Sequence, residues 1–282
     1  MEGGSSCRRV ALVTGANRGI GLEVCRQLAS GSATVVLTAR DEKRGAAAVD
    51  ALRELGLSDV VFCQLDVGEP SSAARLADFL RDRFGRLDIL RTSMSAAERL
   101  EWFNQRTAEP FEEAEECLRT NYHGTKNVTE ALLPLLLSSS DARVVNVSSS
   151  YGLLRYFSGE ELKHELDDID NLSAERLDEL SGLFLKDFKN GRLDHRGWPV
   201  GGFSAYKVSK ALINAYTRIL AKKHTSMRLN CLDPGYVKTD INFHTGVLTV
   251  EEGARGPVML ALMPKEGPTG SYFNGTEQAA FM

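Results

Sequence analysis

Tyr206 and Lys210 stand four residues apart, in Tyr206-Lys207-Val208-Ser209-Lys210. On a helix that spacing puts both side chains on one face. A phenol of ordinary pKa, about 10, is a poor acid or base at neutral pH. An ammonium beside it favours the phenolate and lowers that pKa. Such a pair could protonate a carbonyl oxygen during reduction and recover the proton in the reverse direction. It also arises by chance on solvated helix faces, so other residues must carry the argument with it. Ser149 closes the apolar run Arg143-Val144-Val145-Asn146-Val147-Ser148-Ser149, where its hydroxyl could hold a carbonyl oxygen beside Tyr206. Ser148 and Ser150 are its competitors for that role. Asn121 falls within a long helical stretch, in Arg119-Thr120-Asn121-Tyr122-His123-Gly124. Asparagine is disfavoured inside helices, which points to a polar task there.

A second group of residues suits a dinucleotide. Gly15, Gly19 and Gly21 follow an apolar run and open a helical one, with Asn17, Arg18 and Ile20 among them. Glycines let the backbone turn tightly and approach a phosphate, and a helix start offers N–H groups and a positive dipole end. The spacing is G-x-x-x-G-x-G, and its place after the first strand gives it meaning. Arg40 ends Leu37-Thr38-Ala39-Arg40. An acid at that position takes a ribose 2′-hydroxyl, whereas an arginine suits a 2′-phosphate. Arg18 and Arg40 together favour NADPH over NADH. Asp41, one residue later, caps the next helix in this reading. Asp66, followed by Val67, ends a third strand at the same edge, where its carboxylate either accepts from an adenine amino group or shapes a turn. Pro234-Gly235 ends a later strand and could lie against a nicotinamide, with Val237 and Thr239 following it. No cluster of His and Cys has metal-ligand spacing, so no metal site is expected.

These residues need elements to hold them. Strands are expected at Val10–Thr14, Thr34–Thr38, Val60–Leu65, Leu87–Leu90, Val144–Ser148, Met227–Leu232 and Ser271–Phe273. Helices are expected at Ile20–Ala29, Glu42–Gly56, Ser71–Phe84, Phe111–Leu137, Tyr206–His224 and Val250–Met263. The strand runs are continuously apolar rather than alternating, as in a parallel sheet covered on both faces. Alternation of strand and helix then gives an α/β, doubly wound parallel sheet in one domain over 1–282. The charged stretch from Tyr151 to Pro199 breaks the rhythm and reads as a helical insertion, about 151–200, near the substrate site.

The 282 residues are 43% hydrophobic and 26% charged, enough for a large core without disulfides. A net charge of −4 disfavours nucleic acid as a partner. The five scattered cysteines read as reduced thiols. Met1 to Arg9 has no apolar signal core, and the apolar run Ala131–Leu137 is too short to span a bilayer. A cytoplasmic location without membrane association is expected.

Taken together, Thr14-Gly15-Ala16-Asn17-Arg18-Gly19-Ile20-Gly21, Asp66, Asn121, Val147-Ser148-Ser149, Tyr206-Lys207-Val208-Ser209-Lys210 and Pro234-Gly235 resemble the short-chain dehydrogenase/reductase family over nearly the full chain. The resemblance implies a Rossmann-like fold and assigns catalysis to Asn121, Ser149, Tyr206 and Lys210. Some fifty residues separate Ser149 from Tyr206. With Trp198-Pro199 and Ala279-Ala280-Phe281, this resembles plant carbonyl reductases of the salutaridine reductase and menthone/neomenthol reductase group. That likeness implies NADPH, a bulky ketone or aldehyde as small-molecule substrate, and a monomer. One departure stands out. The family's fourth strand runs into Asn-Asn-Ala-Gly, whereas here Leu87-Asp88-Ile89-Leu90 is followed by Arg91-Thr92-Ser93-Met94-Ser95-Ala96-Ala97. It leaves open a second reading, an NADP(H)-binding relative with weak or no catalysis.

Overall fold

The computed structural model describes residues 8–92, 109–240 and 244–282. The continuously apolar runs become the strands β1 (Val10–Val13), β2 (Thr34–Ala39), β3 (Val60–Gln64), β4 (Ile89–Thr92), β5 (Arg143–Val147), β6 (Arg228–Asp233) and β7 (Tyr272–Asn274). They lie in the order β3-β2-β1-β4-β5-β6-β7, every neighbouring pair parallel. An edge strand β8 (Glu277–Ala279) pairs antiparallel with β7. It is exposed and polar, so no apolar run announces it in the sequence.

Helices cover both faces. On one side α1 (Gly19–Ser30), α2 (Glu42–Glu54) and α10 (Val250–Leu262) bury Val24, Leu28, Val49, Leu52 and Leu260 against β1, β2 and β5. On the other lie α3 (Pro70–Phe84), α4 (Phe111–Leu118), α5 (Gly124–Leu137) and α9 (Ser204–Lys223). Asp41 caps α2 as expected, its side chain accepting from the Arg44 N–H at 3.0 Å. Pro70 sits in the first turn of α3.

Two expectations are refined. The helix expected over Phe111–Leu137 is three pieces, because Arg119–His123 forms a π-helical turn between α4 and α5. A π turn inserts a residue into the helix and re-aims the side chains around it. Asn121 lies at its centre. The fourth strand runs from Ile89 to Thr92 rather than ending at Leu90. Arg91 is therefore inside the sheet, between Val13 of β1 and Val145 of β5, and only 1% exposed. Burial of a charge is costly unless polar groups meet it, and Arg91 Nη1 donates to the Thr14 carbonyl at 3.2 Å. Residues 93–97, where Asn-Asn-Ala-Gly is replaced, lie outside the described residues.

The insertion is helical. It carries α6 (Glu160–Asp167), α7 (Ala174–Lys189) and the short α8 (Leu193–Arg196). Ser173 caps α7, accepting from the Arg176 N–H at 3.1 Å. Leu177, Leu180 and Phe184 of α7 join the core under α4 and α9. Trp198 packs edge-on to Phe184, with ring centroids 5.5 Å apart, and donates its indole N–H to Asp187 at 3.0 Å. An aromatic anchor of that kind contributes about 2–3 kcal/mol through buried area alone.

Candidate active site

The sites expected from sequence converge on the C-terminal edge of the parallel strands. Beyond β1, the Thr14 N–H donates to the Arg91 carbonyl at 2.9 Å and the Ala16 N–H to the Thr38 carbonyl at 2.9 Å. These bonds tie the glycine loop to β4 and β2. Gly15 and Gly19 have φ of +60° and +56°, where other residues are strained. A Cβ on Gly21 would stand 2.5 Å from the Gly15 carbonyl oxygen and 2.9 Å from Ala16 Cα. Only glycine lets α1 lie this close to the loop. The first turn of α1 holds no acidic residue, and its N-cap, Arg18, makes no side-chain bond to it. The loop and helix start together fit a pyrophosphate.

Beside this loop is a cleft of about 250 Å³ lined by Arg18, Gly19, Leu22, Thr239, Asp240 and His244. The Thr239 methyl would lie 3.5 Å from a Cβ on Gly19, so the segment after β6 folds over the glycine loop. The Arg18 guanidinium meets Asp240 at 2.6 Å, and His244 Nε2 lies 3.1 Å from the same carboxylate. Arg40 is exposed at the end of β2, its carbonyl accepting from the Gln64 side chain at 2.9 Å. Asn17 is half-buried in the loop, and Ile20 packs on the α1-side core. Asp66 shapes a turn, its Oδ1 accepting from the Gly68 N–H at 2.9 Å. Val67 follows, its carbonyl against Gly124 at the start of α5. Pro234 and Gly235 follow β6, with Gly235 at φ +83°. Val237 bridges to Leu248.

At the other end, α9 carries Tyr206 and Lys210 as the spacing predicts. Lys210 is 1% exposed; its Nζ donates to the Val147 carbonyl at 2.9 Å and lies 5.6 Å from the centre of the Tyr206 ring. Strand β5 thus holds the ammonium beside the phenol. The three serines are separated by position. Ser148 is buried, its hydroxyl turned to the Lys210 carbonyl at 3.5 Å. Ser149 accepts from the Tyr151 N–H at 3.3 Å, and Ser150 opens a short 3₁₀ turn. The Tyr151 ring stands edge-on to Tyr206, with centroids 6.3 Å apart.

Asn121 reaches the same helix. Its Nδ2 donates to Ser209 Oγ at 2.9 Å, and the Ser209 hydroxyl donates to the Tyr206 carbonyl at 2.8 Å. Its Oδ1 is buried with no donor among the described residues, an acceptor suited to a bound water or ligand group. The π turn is braced from the insertion. Tyr122 donates its hydroxyl to Asp178 at 2.9 Å, Lys126 pairs with the same carboxylate, and His123 Nε2 lies 3.1 Å from Ser181 Oγ. Burial, with Lys126 adding to it, lowers the pKa of His123 against the opposing pull of Asp178.

Two positioning residues had no sequence signal strong enough to be singled out. Asp233 accepts from the Ser150 N–H at 2.8 Å and the Gly235 N–H at 2.9 Å, joining the serine turn to the Pro234-Gly235 turn. An aspartate before Pro-Gly was the only clue. Gly152 brings the serine turn onto α9, since a Cβ there would stand 2.7 Å from Lys210 Cβ.

A parallel sheet in this order, a glycine loop after its first strand and a Tyr/Lys/Ser/Asn group at its C-terminal edge define a class of nucleotide-dependent oxidoreductases. The chain belongs to the short chain dehydrogenase family, whose pattern matches residues 9–160. It is 47% identical to (+)-neomenthol dehydrogenase of Arabidopsis thaliana over 97% of this chain and 98% of that one. It is 44% identical to carbonyl reductase [NADPH] 3 of Mus musculus over 93% of this chain and 94% of that one. Its fold superimposes on the structure of salutaridine reductase from Papaver somniferum with a TM-score of 0.86. That pair is 43% identical, covering 95% of this chain and 99% of the other.

Proposed function

We propose that the protein is an NADPH-dependent carbonyl reductase that converts a ketone or aldehyde to an alcohol. The observation that carries this reading is the buried Lys210 ammonium, held on the Val147 carbonyl beside the Tyr206 ring. The nicotinamide, when bound, supplies the hydride equivalent for the carbonyl carbon. Gly15, Asn17, Gly19, Ile20 and Gly21 would cradle its pyrophosphate. Arg18 and Arg40 would meet the 2′-phosphate, and for Arg18 this requires leaving Asp240. Asp66 and Val67 would border the adenine, and Pro234, Gly235, Val237 and Thr239 the nicotinamide.

The chain's own residues then manage the proton. Ser149 orients the carbonyl oxygen by donating its hydroxyl hydrogen. Tyr206 gives its phenolic proton to that oxygen. Lys210 stabilises the phenolate left behind and would hold the nicotinamide ribose. Asn121 holds a water that returns a proton to this end of the site. Packing of α7 against α4 and α9 covers a helical face on which another copy could otherwise dock, which supports a monomer.

Arg91 favours the second reading, cofactor binding with weak or no catalysis, because it places a charge under the glycine loop. Steady-state reduction of a panel of cyclic ketones and aldehydes with NADPH decides between them. Turnover that drops at least a hundredfold in Tyr206→Phe supports the reductase. Binding of NADPH without turnover in the wild-type chain would overturn it.

A further inference from the structure

Four aromatic rings gather where the serine turn meets the start of α9, and they are not core. Tyr151 is 40% exposed, and Tyr156 and Phe203 are half-buried. Tyr151 lies 5.5 Å from Tyr156, 6.2 Å from Phe203 and 6.3 Å from Tyr206, centroid to centroid. The first two pairs are tilted by 38° and 37°, and the third stands at 70°. The separations are those of contacting aromatic rings, two pairs tilted and one edge-to-face. Tyr151 links the group to the reacting atoms, since its N–H bonds Ser149 Oγ and its ring touches that of Tyr206.

Phe203 adds an independent sign. Its φ is +71°, one of three positive values at non-glycine positions among the described residues. A bulky side chain pays for that conformation, and strain of this kind gathers at binding sites. Gly201 and Gly202 immediately precede it, so a flexible residue is near at hand in the same turn. Charge limits the ligand further. The Arg155 guanidinium lies 5.4 Å from the Tyr156 ring centre and the Lys207 ammonium 5.6 Å from it. A cationic ligand would meet both.

We infer that Tyr151, Tyr156 and Phe203 form a stacking subsite that selects carbonyl compounds bearing a flat, uncharged aromatic ring next to the carbonyl group. The inference rests on the reductase reading and names the substrate class of that site. Acetophenone, its para-trimethylammonium derivative and cyclohexyl methyl ketone test it, with NADPH as reductant. Tyr151→Leu and Phe203→Leu each lower the acetophenone-to-cyclohexyl ratio of kcat/KM by about tenfold, mainly through KM. Tyr151→Phe keeps the ratio. The trimethylammonium ketone is a poorer substrate than acetophenone. A ratio unchanged in both leucine variants, or a preference for the cation, overturns the subsite. If the wild-type chain reduces no carbonyl compound, the reductase reading fails and binding decides the subsite separately. Saturation-transfer NMR of acetophenone then shows ring signals with wild type that vanish in the Tyr151→Leu/Phe203→Leu double variant, whereas equal signals in both overturn it. Circular dichroism melting establishes that each variant is folded.

Discussion

At the scale of single residues, two positions separate recognition of the cofactor's charge from the shape that would receive it. Arg40 is exposed at the end of β2, so its replacement leaves the core intact. Loss of a charge-assisted bond to a phosphate costs about 1.5–3 kcal/mol. Arg40→Ala is therefore expected to weaken NADPH binding by roughly tenfold to a hundredfold while leaving NADH binding unchanged, as read by quenching of intrinsic fluorescence. Equal weakening of both nucleotides would remove Arg40 from the 2′-phosphate site. Gly21 acts through shape instead. A methyl group there meets the Gly15 carbonyl, and overpacking of this kind costs about 1–3 kcal/mol. Gly21→Ala should lower the thermal midpoint and, with it, affinity for either nucleotide. Types and spacing made these residues legible from the sequence. Asp233 and Gly152 were not, because what marks them is a contact across the fold rather than a local pattern.

Elements show where a pattern misleads. The runs at Val10–Val13, Thr34–Ala39 and Arg143–Val147 are buried on both faces, and continuous hydrophobicity shows that directly. Arg91 breaks such a run, so β4 reads as ending two residues early; the Thr14 carbonyl that accommodates the guanidinium comes from the glycine loop after β1. The π turn is equally hidden. Its register is fixed by Ser209 on α9 and by Asp178 on α7, both more than fifty residues from Asn121 in sequence. Asp178→Ala would leave the buried Tyr122 hydroxyl only the distant Ala174 carbonyl at 3.5 Å as acceptor, costing about 1–3 kcal/mol. The expected outcome is a lower urea midpoint together with a lower kcat, as Asn121 loses its brace, and unaltered affinity for NADPH. A stability loss with kcat intact would confine Asp178 to a structural role.

For the molecule as a whole, pH couples to folding through at least two histidines. Burial lowers the pKa of His123, and burial with the nearby Lys223 lowers that of His224. The unfolded chain therefore binds more protons than the folded one as pH falls through the unfolded value, about 6.5. Stability declines across that window and continues to do so until the depressed folded values are passed. In denaturant melts between pH 7.5 and 5, the His123→Gln/His224→Gln double variant should lose less stability than wild type. Equal slopes would show that the decline comes from other groups. At neutral pH, sedimentation is expected to give a species of 30.9 kDa. A concentration-dependent dimer would show that α7 leaves the helical face open to a second copy.

Asp233 has a consequence for timing. Its two carboxylate oxygens hold the Ser150 and Gly235 N–H groups at once, so the serine turn and the Pro234-Gly235 turn cannot drift independently. In the proposed reductase, substrate and nucleotide would bind opposite sides of that joint. The loss of disorder needed to align them occurs once, when the chain folds, rather than in every catalytic cycle. One side chain that touches neither reactant thus moves an entropic cost from turnover to biosynthesis.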